Sequence, residues 1–90
     1  MEQTLITLYG RPGCELCEST EAIVRTLIAE GDSRLTLSVV NIEEDPAMHA
    51  RLLEQIPALD VAGQLLPLAL SRMQIAAHVR SVVGAVDGKR

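Results

Sequence analysis

Ninety residues, 48% of them apolar and carrying a net charge of −4, can bury one aliphatic core without help from metal or disulfides, since Tyr9 is the sole aromatic. The acidic balance, with no basic stripe and no interleaved aromatics, excludes nucleic acid as an expected partner. No apolar run approaches the roughly eighteen residues of a membrane span. Residues 1–3 carry neither the basic nor the apolar part of a leader, so a single cytoplasmic domain over residues 1–90, without a membrane partner, is the expectation.

Residues 4–9 alternate apolar and polar side chains like a short β-strand. Gly10, Arg11, Pro12 and Gly13 then turn the chain into a helix whose first turn holds Cys14 and Cys17. Thr20, Ile23, Val24, Leu27 and Ile28 give that helix one apolar face as far as Ala29 or Glu30, where Gly31 stops it. Residues 31–34 read as a loop, and residues 35–42 as a second strand, alternating at first and then β-branched. Strand, helix and strand together predict a right-handed unit with parallel strands.

Asp45 as a cap and Pro46 at the first helical position announce a second helix to about Gln55, with Met48, Leu52 and Leu53 facing the core. Ile56-Pro57 ends it, because proline disfavours helical geometry in the residue before it. Residues 58–61 and 64–68 form a hairpin around Ala62-Gly63, and Pro67 confines the second arm to a sheet edge. Ser71 and Gln74 fit a capping box, followed by Ile75, Val79, Val82 and Val83 at helical spacing. The third helix is expected to end near Gly84, leaving residues 86–90 as a frayed tail.

The chemistry concentrates in Cys14-Glu15-Leu16-Cys17. The first backbone N–H groups of a helix lack internal partners and favour a thiolate, and a neighbouring cation such as Arg11 adds to this. Cys14 is thus the expected nucleophile. Cys17, one turn further in, lies beneath it and suits a resolving thiol. A structural disulfide across so short a loop removes little entropy from the unfolded chain. Zinc normally takes four ligands, whereas the chain offers two cysteines and two distant histidines, His49 and His78, each among polar neighbours on a helix. No metal and no cofactor is expected.

The order β-α-β-α-β-β-α with C-x-x-C at the start of the first helix resembles the thioredoxin fold, and its compactness is similar to the glutaredoxin-like branch, small bacterial proteins in particular. Three pieces carry the likeness: residues 8–17, residues 40–46 (Val40-Asn41-Ile42-Glu43-Glu44-Asp45-Pro46), and Ile56-Pro57-Ala58-Leu59 with Ala62-Gly63. The resemblance implies an α/β fold with a four-stranded mixed sheet, ordered second, first, third, fourth, and helices on both faces. It implies a cis proline at Pro57 facing the cysteines, with Tyr9, Ile56 and Pro57 forming the substrate groove and the backbone of Ile56 offered to an incoming chain.

Some residues depart from the pattern. Glu15-Leu16 stands where glutaredoxins carry Pro-Tyr, and Glu15 opposes Arg11 and the helix dipole in tuning Cys14. Thr7 and Leu8 occupy the region of the thioredoxins' buried aspartate; Glu18 is the nearest carboxylate to Cys17. Residues 66–71 replace the Gly-Gly and acidic segment that holds glutathione. The expected function is therefore a monomeric thiol–disulfide oxidoreductase acting on a protein or small-thiol disulfide, reset by an external reductant, with glutathione disfavoured in that role. A soft-metal carrier for Cu(I), a chain bridging an iron–sulfur cluster, and a non-catalytic binding module remain alternatives. Element order separates the first of these, since metal-carrying ferredoxin-like domains run β-α-β-β-α-β.

Overall fold

Alternation along the first strand sends Ile6, Leu8 and Gly10 to one face, where all are buried, and leaves Leu5 exposed on the other. A computed structural model of the protein describes residues 3–31 and 34–87, the side chains of 85–87 excepted. It contains β1 (Thr4–Gly10), α1 (Glu15–Gly31), β2 (Leu35–Asn41), α2 (Pro46–Leu52), β3 (Ala58–Val61), β4 (Gln64–Leu66) and α3 (Arg72–Asp87). Residues 32, 33 and 88–90, parts of the expected loop and tail, lie outside the described residues.

The sheet runs β2-β1-β3-β4, with β1 parallel to β2 and antiparallel to β3, and β3 antiparallel to β4. This is the mixed α/β architecture expected, with the short β4 at an edge. One face carries Ile6, Leu8, Leu59 and Val61 into a cluster with Val24 of α1 and Ile75 and Val82 of α3. Leu52 of α2 and Ile42, which precedes that helix, are fully buried outside that cluster. Among the described residues no helix is long and apolar enough to cross a membrane.

Local chemistry accounts for the places where boundaries move. The side chain of Asn41 accepts the N–H of Glu43 at 2.9 Å and caps a 3₁₀ turn over Ile42–Glu44, so β2 stops before Ile42. The Asp45 carboxylate accepts the N–H groups of Ala47 and Met48 at 3.0 and 3.3 Å, fixing the start of α2. That helix ends at Leu52, not Gln55, where Gln55 N–H closes a tight turn onto the Leu52 carbonyl at 2.7 Å. Leu53 consequently points to solvent instead of the core.

In the hairpin, Ala62 and Gly63 both take positive φ, 51° and 90°, the handedness that matches strand twist in a two-residue turn. Asp60 anchors it by accepting the Gly63 N–H at 2.8 Å. At α3, Ser71 Oγ accepts the N–H of Gln74 at 3.1 Å, while Gln74 reaches back to the N–H of Leu70, one residue beyond the usual partner in a capping box. The helix passes Gly84 and continues to Asp87, correcting the expected end.

Candidate functional site

The turn between β1 and α1 depends on Gly13, whose φ of +76° is a left-handed conformation that favours glycine. Cys14 then occupies the residue before the helix: its carbonyl accepts the N–H of Glu18 at 3.1 Å, and its Sγ accepts the N–H of Cys17 at 3.1 Å. Sulfur here takes the place of the oxygen that usually caps a helix. Cys14 and Cys17 are joined as a disulfide, with Cα atoms 5.2 Å apart. Cys17 is only 7% exposed, whereas Cys14 is half-buried and on the outer side.

Gly10 makes that burial possible. A Cβ at this position would stand 3.0 Å from the Sγ and 3.1 Å from the Cβ of Cys17, so a larger residue would push the sulfur out of place. An isolated glycine at the end of a strand signals close backbone approach, and this one does so here. On the same side, a cleft of about 300 Å³ opens between α1 and the ends of β1 and β2. Gly10, Arg11 and Cys17 line it together with Glu18, Glu21 and Glu44. Leu8, fully buried, also lines it.

The other predicted residues lie across β1. Tyr9 pairs with Ala58, so the register brings Ile56 and Pro57 to the sheet end from which the cysteine loop departs. The Ile56–Pro57 peptide bond is cis. Pro57 is buried and Ile56 half-buried. The carbonyls flanking Ile56 are engaged, Gln55 by the N–H of Leu68 at 2.9 Å and Pro57 by the N–H of Ala69 at 2.7 Å. Ile56 itself makes no backbone hydrogen bond to another described residue outside the regular elements. Arg11, Glu15 and Leu16 are exposed, and Tyr9 is half-buried.

Thr20 ties the two halves together. Its hydroxyl, in a residue 1% exposed, donates to the Ala69 carbonyl at 2.7 Å and fastens the segment before α3 to α1. Thr20→Val keeps the shape and removes the donor, leaving that carbonyl without it. A loss of roughly 1–2 kcal/mol in urea unfolding is expected, with faster amide exchange at residues 68–70. Unchanged stability and exchange would show that the bond contributes nothing. Gly10, Thr20 and Leu68 are the neighbours of the site that sequence reasoning does not identify; for the last two no local signal exists.

Elsewhere, His78 Nε2 lies 2.8 Å from the Gln64 carbonyl, and among the described residues no group of three or more His, Cys, Asp or Glu is arranged to hold a metal ion.

A model of the glutaredoxin-like domain (DUF836) matches residues 5–80. Among solved structures, the solution NMR structure of protein Ne2328 from Nitrosomonas europaea is similar at 27% identity and a TM-score of 0.69, over 87% of this chain and 93% of that one. A mutant thioredoxin from Halobacterium salinarum aligns with a TM-score of 0.64 over 89% of this chain and 74% of that one, at 17% identity, a likeness of fold alone. No curated protein matches.

Proposed function

Because the chain belongs to the glutaredoxin-like domain family, whose model spans residues 5–80, we propose that it is a thiol–disulfide oxidoreductase in which Cys14 attacks and Cys17 resolves. The observation that carries this reading is the hydrogen bond from the Cys17 N–H to Cys14 Sγ at the start of α1. In the reduced protein the same donor, with the helix dipole behind it, stabilises a thiolate at Cys14.

The Cys14 thiolate attacks one sulfur of the substrate disulfide, forming a mixed disulfide and releasing the other sulfur as a thiolate that takes a proton. Cys17, deprotonated, then attacks Cys14 Sγ, closing the Cys14–Cys17 disulfide and releasing the second substrate thiol. Two electrons pass from the dithiol to the substrate. An external thiol or dithiol reverses the ring closure and resets the pair, in a reducing setting such as the cytoplasm.

Arg11 favours the thiolate and Glu15 opposes it. Tyr9, Ile56 and Pro57 form the groove for the substrate, with the open backbone groups of Ile56 pairing with an extended segment. Residues 66–71 lack the Gly-Gly and acidic pattern for glutathione, which favours another reductant. The β-α-β-α-β-β-α order speaks against the metal-carrying ferredoxin-like reading.

Cys17→Ser tests the assignment. Incubated with a small disulfide, this variant should accumulate a stable mixed disulfide on Cys14, read as a mass increment on the peptide containing it, while the wild type releases it. No adduct on Cys14 would remove the reading.

A further inference from the structure

We propose that two copies of this chain associate edge to edge, β2 pairing antiparallel with the partner's β2 about a two-fold axis at Ser38, so that their sheets join into one. The proposal is independent of the redox reading. It replaces the monomer expected from the sequence, where an edge strand cannot be told from a central one.

The sheet order leaves β4 and β2 at its two edges, and these differ. β4 has three residues, its Gln64 carbonyl lies 2.8 Å from His78 Nε2, and Pro67 follows it, so that edge is short and blunted. β2 has seven residues with no charge, no proline and an unbroken register against β1. An edge of that kind is a template for another strand.

Backbone geometry selects how a second copy fits. The Arg34 carbonyl accepts the N–H of Thr4 at 2.7 Å and so faces β1. Polar groups alternate sides along a strand, so those of Thr36, Ser38 and Val40 also face β1, while those of Leu35, Leu37 and Val39 point to the open edge. None of these three bonds another element across that edge among the described residues. A two-fold axis at Ser38 sets Leu37 opposite the partner's Val39, outward groups against outward groups, and repeats the pair on its other side. The side chains of Leu37 and Val39 are half-buried and 49% exposed, and they meet across the junction.

Charge identifies the occupant as a second copy. Arg34 precedes β2, and Arg25, its side chain 60% exposed beside its ion pair with Glu21, lines a hollow of about 350 Å³ with Leu35 and Leu37. At the other end, Glu43 and Glu44 are exposed, and Glu44 lines the cleft with Val39, Val40 and three further charged residues, Arg11, Glu18 and Glu21. One end of β2 is therefore basic and the other acidic. The two-fold axis reverses the strand and brings Arg34 opposite the partner's Ile42, next to the partner's Glu43, so unlike ends meet twice.

Sedimentation equilibrium of the oxidised chain from about 5 µM to about 500 µM is expected to show the mass rising from one chain towards two. Ser38→Lys sets two ammonium groups opposite each other on the axis and should weaken the association at least about tenfold. Its thermal unfolding at low concentration should match the wild type, since Ser38 is exposed. Ser38→Cys reads the register independently. With Cys14 and Cys17 joined, its thiol is the only free one, and it lies about 4.5 Å from its counterpart by Cα, within disulfide reach. Mild oxidation should therefore join two chains through position 38. Thr36→Cys or Val40→Cys alone should cross-link about tenfold more slowly, whereas the two mixed should join to each other. A chain that stays single at the highest concentration, an association that Ser38→Lys leaves unaltered, or Thr36→Cys alone cross-linking as fast as Ser38→Cys would overturn the proposal, and none of these results bears on disulfide reduction.

Discussion

Cys14→Ser should lower the rate of disulfide reduction by on the order of a thousandfold or more, because no other group can form the mixed disulfide. Cys17 does not substitute for it. It is 7% exposed and packed against Gly10, where even a Cβ would come within 3.0 Å of its sulfur, so an incoming disulfide cannot reach it in line. The same asymmetry should appear without turnover. In the reduced wild type at neutral pH, iodoacetamide should modify Cys14 about tenfold or more faster than Cys17, since only Cys14 combines access with a backbone donor at its sulfur. Equal labelling, or Cys17 labelled first, would reverse the direction of the pair and with it the mechanism.

The second large effect concerns stability. Leu59→Ala is expected to destabilise the fold by about 3–4 kcal/mol, the cost of a cavity in a core that cannot collapse around it. Leu59 is fully buried in β3, opposite Leu8 of β1 on one side and Leu66 of β4 on the other. For a domain of this size the melting temperature should fall by about 12–32 °C. Leu5→Ala provides the contrast, because Leu5 sits in the same sheet but is 52% exposed, and its replacement should stay within about 0.5 kcal/mol. Comparable losses for both would mean that the sheet face packed against Val24, Ile75 and Val82 does not carry the core.

Much of the fold is legible in the sequence because the signals are local. Asp45 followed by Pro46 marks a helix start through hydrogen bonds within three residues. Ala62-Gly63 marks a hairpin for a similar reason. Helix ends are read less well. Leu53, Glu54 and Gln55 are compatible with continued helix, yet α2 stops at Leu52, where the chain turns so that the Gln55 and Pro57 carbonyls meet the segment before α3. Gly84 has the character of a stop, but α3 runs through it; the helix packs against α1, β3 and β4, and that tertiary support outweighs one unfavourable residue.

Sequence alone determines that two thiols three residues apart open a helix, because residues i and i+3 of a helix share a face whatever surrounds it. It also determines which residues of β1 and α1 are apolar enough to be buried, since periodicity is a property of the chain itself. Tertiary structure alone decides what those thiols meet. That Gly10 lies against Cys17, that Thr20 bonds Ala69, and that Leu68 is bent outward beside Ile56 all follow from strand register and helix packing between segments up to forty-nine residues apart. Such contacts depend on how distant elements fit together, and no local pattern of side chains encodes that fit.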